Sequence, residues 1–518
     1  MTPTFRRRDL VGAAGLLILP AARTAFTYQA NERLRLALIG HMYNTGHFFT
    51  SAHTYEDVEI VALCDDDQRR IPTVFRRWEE LAQQGSDYYR RLVENRPPVY
   101  DDFRRMLAER GDRIDGLVVS VFDHNHAVIC GPAIRAGKHV FSERPLGLTI
   151  GEARALREIA ARHPRVATSI RNPGNASPRF RRAVELLRAG AIGPVREVHV
   201  WFFRGGPDHR EPPQGEMPVP PGLNWEVWLG PAAWRPYHPA WMAYAHWRDF
   251  SNGGIGTFGP HAANLAFMAL KVDQLWQEPA AAPIRVSART SRRNPLSFPR
   301  WEVVRWEVPA RGELPPVTFT WHHGPPEEFP PGSRELLLER MRAAGATAEQ
   351  LPTLLDETAG ALILGSEGAI VADDHNTAFT MLPESKFRDL AQDRPETLPP
   401  SRGHYRDWID ACRGELVGDG APQIEVRPAP PTRREPRGRA TAPHGEESLA
   451  HLLAHLEAVG PDAGSQPGDE MGRVHLHRLH RRLPQGIGPV PRGGDPQLLL
   501  GLPGLPRGGR EPVHRRRG

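Results

Sequence analysis

The stretch DGLVVSVFDHNHAVICGPAIRAGKHVFSERPLGLT, residues 115–149, decides the fold. Residues 117–121 form a short apolar run rich in β-branched side chains, which is typical of a buried parallel strand. Residues 127–136 have helical character and end at Gly137, a residue that favours a left-handed helix cap. Residues 138–141 return to a strand pattern. The stretch therefore predicts a strand, a helix and a second strand parallel to the first.

A polar segment follows this βαβ unit. Glu143, Arg144 and Pro145 come directly after the second strand. Open α/β sheets bind their ligands outside the carboxyl ends of parallel strands. We therefore expect these three residues to lie at a ligand site.

The chain before this unit has the order of half a Rossmann fold. Residues 34–40 (LRLALIG) and 58–64 (VEIVALC) predict two more buried strands, and a short third strand is expected at 99–100. Asp65 follows the second strand about 25 residues after Gly40, near the spacing of a carboxylate that binds the adenosine ribose. Gly46 is the only further glycine of the first loop. An alternative interpretation is that Gly40 and Gly46 merely form a tight turn in an α/β domain without a nucleotide.

The second part of the chain predicts another α/β domain. A helix is expected at 176–190. A strand at 195–203 alternates polar and apolar residues, as a half-solvated antiparallel strand does. Further strands are expected at 284–288, 301–308, 317–321 and 361–371.

Composition limits the class of protein. The chain has 518 residues, enough for two or three domains, and its net charge of +5 gives no indication of nucleic-acid binding. Three cysteines are too few for a disulfide framework, and Cys64 and Cys130 lie in core-like runs. The histidines show no metal-ligand spacing, so no metal site is predicted.

The first 30 residues predict export. Arg6, Arg7 and Arg8 precede an apolar run at 10–22, which fits a twin-arginine signal and hence a periplasmic or extracellular location. The run is too short for a stable membrane anchor. The alternative is a disordered basic N-terminus. Since the twin-arginine route carries folded proteins, a cofactor would be loaded before export and retained.

The last hundred residues have a different composition. Arg, Pro, Gly, Ala and His dominate 418–518, and this segment cannot bury enough apolar surface to offset the entropy of ordering. Only 448–459 predicts a helix. Either the segment is read out of frame or it is a genuine basic disordered tail.

Taken in order, short motifs along about 380 residues resemble the Gfo/Idh/MocA family of glucose-fructose oxidoreductase and inositol dehydrogenase. The matching pieces are IG at 39–40, VALCD at 61–65, FDHNH at 122–126, AGKHVFSERPL at 136–146, GAIGPVREVHVW at 190–201, NWEVWLGPAAWRPYHPAW at 224–241, FSNGGIGTFGPHAANLAFMAL at 250–270, TWHHG at 320–324 and HYRDWIDACRG at 404–414.

The resemblance implies a fold and a domain plan. The fold class is α/β, with an N-terminal Rossmann dinucleotide-binding domain and a C-terminal α/β domain that has an open, mostly antiparallel sheet. The expected domains are the export signal at 1–30, the Rossmann domain at 31–148, the substrate and oligomerisation domain at 149–417 and the atypical tail at 418–518. A homo-oligomer would form through the C-terminal sheet.

The resemblance also implies a site. The family has a lysine in an E-K-P motif and an aspartate four residues before a histidine. Here Glu143 and Pro145 match, Arg144 stands at the lysine, His261 matches, and Thr257 stands at the aspartate. Arginine stays protonated at working pH and cannot relay a proton. His261 is therefore the candidate base, and Arg144 is expected to be a fixed positive group beside it.

Other residues complete the predicted site. NAD is the expected cofactor, with NADP not excluded because Arg69 and Arg70 follow Asp65. The predicted cofactor-binding residues are Gly40, Gly46, Asp65, His126, Glu143 and Pro145. The predicted substrate residues are Arg248, His246 and Thr257. For His126, hydrogen bonding within its loop is an alternative, and for the aromatic segment 234–248 the alternative is a loop packed on its own tryptophans.

Three functions follow from these residues. The first is an exported NAD(P)-dependent oxidoreductase that acts on a sugar or sugar derivative with a tightly held cofactor. The second is an NAD-dependent glycosidase of the same fold, and the third is a sugar-binding relative without catalysis. Release of reducing sugar from a glycoside without net NADH would distinguish the second from the first.

Overall fold

A computed structural model describes most of the chain between residues 33 and 414. The described residues are 33–40, 56–204, 211–277, 282–292, 294–355, 358–388, 390, 396–414 and 473–474. The predicted export signal, Gly46, the predicted helix at 448–459 and nearly all of 418–518 lie outside them.

Six parallel strands form the first sheet, in the order β3-β2-β1-β4-β5-β6. The strands are β1 Leu34–Ile39, β2 Val58–Cys64, β3 Val99–Tyr100, β4 Gly116–Val119, β5 His139–Ser142 and β6 Thr168–Ile170. All residues of β4 and β5 are buried, as the apolar runs predict for strands covered on both faces. The Rossmann-like sheet is confirmed, and its sixth strand lies beyond the predicted domain boundary at Leu148.

Helices cover both faces of this sheet. They are α1 Ile71–Gln83, α2 Asp87–Asn95, α3 Phe103–Arg110, α4 Asp123–Arg135 and α5 Ile150–Arg162. The predicted start of α4 at residue 127 is wrong, because the helix begins four residues earlier, at Asp123. Polar residues in its first turn hid this start from the hydrophobic pattern, although His124 and His126 are fully buried.

The second sheet has eight strands in the order β13-β12-β11-β7-β10-β9-β8-β14. They are β7 Val195–Phe202, β8 Arg285–Thr290, β9 Glu302–Val308, β10 Val317–His323, β11 Ala359–Gly365, β12 Ala369–Ala372, β13 Phe379–Leu382 and β14 Arg473–Val474. Only the pairing of β7 with β10 is parallel. The prediction of a mostly antiparallel sheet is therefore confirmed.

Two predictions for this sheet are wrong. The single strand expected at 361–371 is a hairpin of β11 and β12, since Gly365 and Gly368 begin and end a turn between them. The expected half-solvated strand at β7 is almost wholly buried. A helix, Ser333–Ala343, covers the outer face there, and its Leu337 and Met341 pack with Trp201.

The remaining helices surround the second sheet or return to the first. They are α6 Pro178–Arg188, α7 Trp225–Leu229, α8 Gly253–Ala262, α9 Asn264–Ala269, α10 Gln274–Gln277, α11 Ser333–Ala343, α12 Leu351–Leu354, α13 Glu384–Phe387 and α14 His404–Cys412. In α14, Trp408 and Ile409 pack in one cluster with Leu34 and Phe141 of the first sheet. The chain thus returns to the Rossmann-like part after completing β13.

Two kinds of feature are absent from the described residues, a membrane-spanning helix and a metal-binding cluster. Among these helices, none combines the length and the apolar character needed to cross a bilayer. Within the same residues no group of three or more His, Cys, Asp or Glu side chains is arranged to hold a metal ion.

Candidate active site

A cavity opens at the carboxyl ends of β1, β2 and β4. Its lining includes Gly40, Asp65, Ser120 and Phe122. Gly40 has a φ of 72°, and a Cβ on it would lie 2.2 Å from the carbonyl oxygen of Ser120. Only glycine fits this turn, because any side chain would collide with the backbone after β4.

Asp65 lies in this cavity, where the sequence placed it. The residue is buried, and its Oδ1 accepts a hydrogen bond from the backbone N–H of Asp67 at 2.9 Å. Arg70 Nη1 lies 3.6 Å from the same oxygen, and Arg69 pairs with Asp67 instead. Burial and the charge of Asp65 raise the pKa of the neighbouring Asp66 well above its usual range.

The cavity residues suit a dinucleotide. Ser120 Oγ is buried and lacks a hydrogen-bond partner among the residues that the structure describes. It lies beside Gly40, whose missing Cβ lets the turn after β1 approach the backbone of Ser120 closely. An unused hydroxyl after β4 and a buried carboxylate after β2, on either side of β1, are groups that could hold a diphosphate and a ribose. Gly40, Asp65 and Ser120 therefore fit bound NAD.

A second group of polar residues lies past the end of β5. Arg144 Nε donates a hydrogen bond to His261 Nε2 at 3.0 Å, and Arg144 Nη1 lies 3.4 Å from Glu143 Oε2. The Arg144–Pro145 peptide bond is cis. The predicted pair of Arg144 and His261 is thus in direct contact, although the two residues are 117 positions apart.

Asn172 fixes the protonation of the His261 ring. Asn172 Nδ2 donates to the carbonyl of Pro260 at 2.8 Å, so its Oδ1 faces His261 Nδ1 at 3.1 Å and must accept. Since Nε2 accepts from Arg144, His261 is neutral with its proton on Nδ1. Burial, and after it the charge of Arg144, holds the pKa of His261 well below its ordinary value.

Asp123 connects this group to the start of α8. Its Oδ2 accepts hydrogen bonds from Ser251 Oγ at 3.1 Å and from the backbone N–H of Asn252 at 3.0 Å. Burial raises the pKa of Asp123 to about 6, against the opposing effects of those hydrogen bonds and of Arg144. The segment that leads into α8 is therefore fixed to the first turn of α4.

The three predicted substrate residues lie in separate places, and each has its own neighbours. Thr257 Oγ1 donates to the carbonyl of Gly253 within α8 at 2.8 Å. Arg248 Nε donates to the carbonyl of Ser297 at 2.8 Å, and its guanidinium lies 4.9 Å from the centre of the Phe298 ring. His246 lies in a short 3₁₀ turn. Their assignment to a substrate stays a prediction.

The aromatic segment packs largely on itself. Trp241 and Trp247 are buried in one cluster with Trp228 and Phe250. Arg235 lies 4.7 Å from the centre of the Trp241 ring. This packing matches the alternative of a loop built on its own tryptophans.

His124 and His126 are both fully buried in α4. His124 Nε2 lies 2.8 Å from the carbonyl oxygen of Trp228, so it ties α4 to the aromatic cluster. Burial lowers the pKa of His126 to about 3. The proposed contact of His126 with the cofactor stays a prediction, as do those of Glu143 and Pro145.

Asn172, Asp123 and His375 were missed by the sequence reasoning. Asp123 lies inside the FDHNH motif, so its position at a strand end was an available signal. Asn172 follows β6, and no motif distinguishes it. His375 lies in a turn of the second sheet, and its ring centre is 4.7 Å from that of His261.

Two protein-family models match the chain. Residues 34–170 match the NAD-binding Rossmann fold of the Gfo/Idh/MocA oxidoreductase family. Residues 201–308 match the C-terminal α/β domain of the same family. The two matches support the Gfo/Idh/MocA family. Both enclose predicted site residues, Gly40 to Pro145 in the first and His246 to His261 in the second.

Curated proteins match shorter segments. An uncharacterized oxidoreductase, YfiI of Bacillus subtilis, is 31% identical over 128 residues, which are 24% of this chain and 32% of that protein. Inositol 2-dehydrogenase of Salmonella typhimurium is 22% identical over 182 residues, 35% of this chain and 49% of that protein. The chain thus spans about a third of the first relative and about half of the second.

Solved structures match over most of the chain at low identity. GenD2 from gentamicin A biosynthesis, in complex with NAD, is 17% identical with a TM-score of 0.45, and the match covers 83% of this chain and 94% of that one. Myo-inositol 2-dehydrogenase from Lactobacillus plantarum is 13% identical with a TM-score of 0.43, covering 82% and 96%.

Proposed function

We propose that this protein is an NAD-dependent oxidoreductase that oxidises a secondary hydroxyl of a sugar or cyclitol. The observation that carries the proposal is the adjacency of two sites along one sheet edge. The Gly40 cavity lies at the ends of β1, β2 and β4, and the contact of Arg144 with His261 lies past the end of β5. A dinucleotide held in the cavity would reach towards these polar groups.

Bound NAD would supply the hydride acceptor, and the chain would supply the rest of the chemistry. Gly40, Asp65 and Ser120 would hold the dinucleotide. Arg144, at the edge of the polar group, would orient the substrate oxygen and stabilise negative charge on it. Its guanidinium cannot take the hydroxyl proton, so a second group must do so.

Charge around Arg144 supports a role in orienting a neutral substrate. Glu143 lies between two guanidinium groups, with its oxygens 3.4 Å from Arg144 Nη1 and 3.4 Å from Arg171 Nε. This carboxylate offsets part of the positive charge and limits the movement of Arg144. Asp123 also interacts with the charge of Arg144 and adds a second negative group when it is ionised. With two carboxylates and two guanidinium groups the site is close to neutral, so it suits a polyol, which carries no charge of its own.

The export signal predicted from the sequence leads to a proposal about turnover. If the protein leaves the cytoplasm folded with its dinucleotide, a cycle would have to be redox-neutral, with a second reduction following the oxidation. The relative named inositol 2-dehydrogenase makes a cyclitol a reasonable probe for the first half of the cycle.

The identity of the bound small molecule tests the proposal. Purified protein would be denatured, and the released dinucleotide would be separated by chromatography and identified by mass. We expect NAD, and we expect the intact protein to show absorbance at 340 nm after addition of myo-inositol or glucose. Protein that releases no dinucleotide and binds neither NAD nor NADP when these are added would exclude the oxidoreductase.

The glycosidase of the same fold remains a second candidate because it would use the same cavity and the same polar group. Incubation with a nitrophenyl glycoside separates the two. Nitrophenol release without net NADH would favour the glycosidase, and NADH formation from the free sugar would favour the oxidoreductase.

A further inference from the structure

The turn between β12 and β13 brings an unassigned imidazole to the site. The His375 ring centre lies 4.7 Å from that of His261, with the ring planes inclined by 36°. The same ring packs edge-on against Phe258, at 5.4 Å between centres. His375 therefore lies on the side of His261 that is contributed by the second sheet.

Hydrogen bonds fix this turn in place. Asp373 Oδ1 accepts from the backbone N–H groups of Thr377 and Ala378, at 2.6 and 3.0 Å. Asn376 Oδ1 accepts from the N–H of Leu265 at 3.0 Å, and its Nδ2 donates to the carbonyl of Ala262 at 3.2 Å. The turn is thus tied to the junction of α8 and α9, directly after His261.

Asp374 orients the His375 ring. His375 Nδ1 lies 2.7 Å from Asp374 Oδ1, and the two side chains are 37% and 34% exposed. The hydrogen bond from His375 is the main reason why the pKa of Asp374 lies below its ordinary value. A carboxylate at Nδ1 places the ring proton there and leaves Nε2 as an acceptor. Within the described part of the chain, no hydrogen-bond partner lies at Nε2.

The two histidines therefore differ in whether their Nε2 atom can accept a proton. His261 is 2% exposed, and its Nε2 lone pair already accepts the N–H of Arg144. Protonation of His261 would turn that hydrogen bond into a repulsion between two donors. His375 carries no such donor, has a carboxylate partner and reaches solvent, so it can take a proton and release it to water.

We propose that His375 is the base that takes the hydroxyl proton of the substrate, with Asp374 as its positioning residue. This inference rests on the proposed oxidation. The O–H bond of the carbinol breaks and an N–H bond forms at His375 Nε2. Bound NAD would accept the hydride of the same carbon, so that the alcohol would become a ketone. The proton then leaves His375 to water.

Two substitutions and one control test this assignment in the full chain. His375→Asn keeps a polar side chain but removes the base, and Asp374→Asn removes the charge that supports it. His163→Asn is the matched control, since His163 is a partly exposed histidine at the end of α5, and its Nδ1 contacts the carbonyl of Ile159. Thermal unfolding and the NAD content per chain are measured for every variant.

The rate of NAD reduction with myo-inositol or glucose is the main measurement. We expect His375→Asn to lose roughly 100-fold or more, as removal of a general base does. Added imidazole should restore part of that rate, while the NAD content and the unfolding temperature stay at the parent values. Asp374→Asn should lose roughly 10-fold in kcat with little change in KM, and His163→Asn should equal the parent.

Several outcomes would overturn the assignment. One is a His375→Asn variant that reduces NAD at the parent rate. Another is a loss of rate that imidazole does not restore or that accompanies loss of bound NAD, since either result indicates a structural role. If the parent protein itself reduces no NAD with either polyol, the proposed oxidation fails. That failure is seen in the parent protein alone, whereas failure of the His375 assignment is seen only when the variants are compared with an active parent.

Discussion

At the scale of single residues, two glycines with nearly the same backbone conformation have different surroundings. Gly40 and Gly137 have φ values of 72° and 74°. A Cβ on Gly40 would lie 2.2 Å from the carbonyl oxygen of Ser120, whereas a Cβ on Gly137 would meet nothing within 4 Å. The left-handed conformation is unfavourable for alanine at both positions, but only Gly40 adds a collision at the cofactor cavity.

We predict that Gly40→Ala destabilises the protein more than Gly137→Ala and abolishes NAD binding. The control variant, Gly137→Ala, should lower the free energy of unfolding by about 1–2 kcal/mol, which is the penalty of an alanine in the left-handed conformation. The variant at the cavity should cost more, because the loop must also move away from Ser120. Urea unfolding and NAD titration measure both effects. Equal losses of stability and unchanged NAD affinity would show that the close approach is unimportant.

The contact of Arg144 with His261 shows what the sequence could predict about the site. Each residue lies in a recognisable motif, and the topology of parallel strands places one of them at a strand end. Asn172 orients the His261 ring, and His375 supplies the second imidazole beside it. Both of these lie outside any motif, and they reach the site only through long-range packing, so local patterns could not indicate them.

At the scale of elements, Asp123 joins α4 to the segment that begins α8. Its carboxylate accepts from Ser251 and from the backbone of Asn252, while Asn252 Nδ2 donates to the carbonyl of Gly147 at 2.9 Å. Three segments of chain therefore meet at one buried group. The pKa of Asp123 is about 6, above its ordinary 3.8, mainly because burial disfavours the charged form.

We predict that this carboxyl makes stability depend on pH between about 4 and 6. The folded state holds the proton more tightly than the unfolded state, so stability falls as pH rises through this window. Asp123→Asn removes the titration. The stability of the parent relative to this variant should therefore increase by on the order of 2 kcal/mol between pH 7 and pH 4.

Urea unfolding at several pH values measures this dependence, with Asp87→Asn as a control, because Asp87 is 76% exposed. A parent and an Asp123→Asn variant whose stabilities run parallel across the window would contradict the prediction.

Strands were predictable where the chain is apolar and bounded by turn residues. The strand β2, Val58–Cys64, has the predicted bounds, and β1 differs by one residue. The hairpin of β11 and β12 was missed because the apolar residues on both sides of its turn read as one run. The helical start at Asp123 was missed because burial of polar residues against the aromatic cluster is a tertiary effect.

At the scale of the whole molecule, α14 closes the structure by returning to the first sheet. Trp408 and Ile409 are 3% and 0% exposed. Arg406 Nη1 lies 2.9 Å from Asp57 Oδ1, close to the start of β2. His404 Nε2 accepts from the backbone N–H of Asn172 at 3.0 Å, so the helix also supports the residue that orients His261.

These contacts predict different results for two truncations. A chain that ends at Gly414 keeps α14 and loses the segment whose composition predicts no packed core. It also loses β14, a two-residue pairing with β8. A chain that ends at Gly403 loses α14 as well. We expect the chain that ends at Gly414 to retain the stability and the bound NAD of the parent. The chain that ends at Gly403 should be less stable by more than about 3 kcal/mol, because removal of one buried tryptophan already costs about 3–5 kcal/mol.

Limited proteolysis of the full chain complements the truncations. The composition after residue 426 predicts rapid cleavage there, with a resistant fragment that ends near Gly414 and still contains α14. Protease resistance throughout 426–518 would show that this segment folds, against both interpretations of its sequence. A chain ending at Gly403 that unfolds like the parent would mean that α14 is dispensable, and Asn172 would then have to orient His261 without His404.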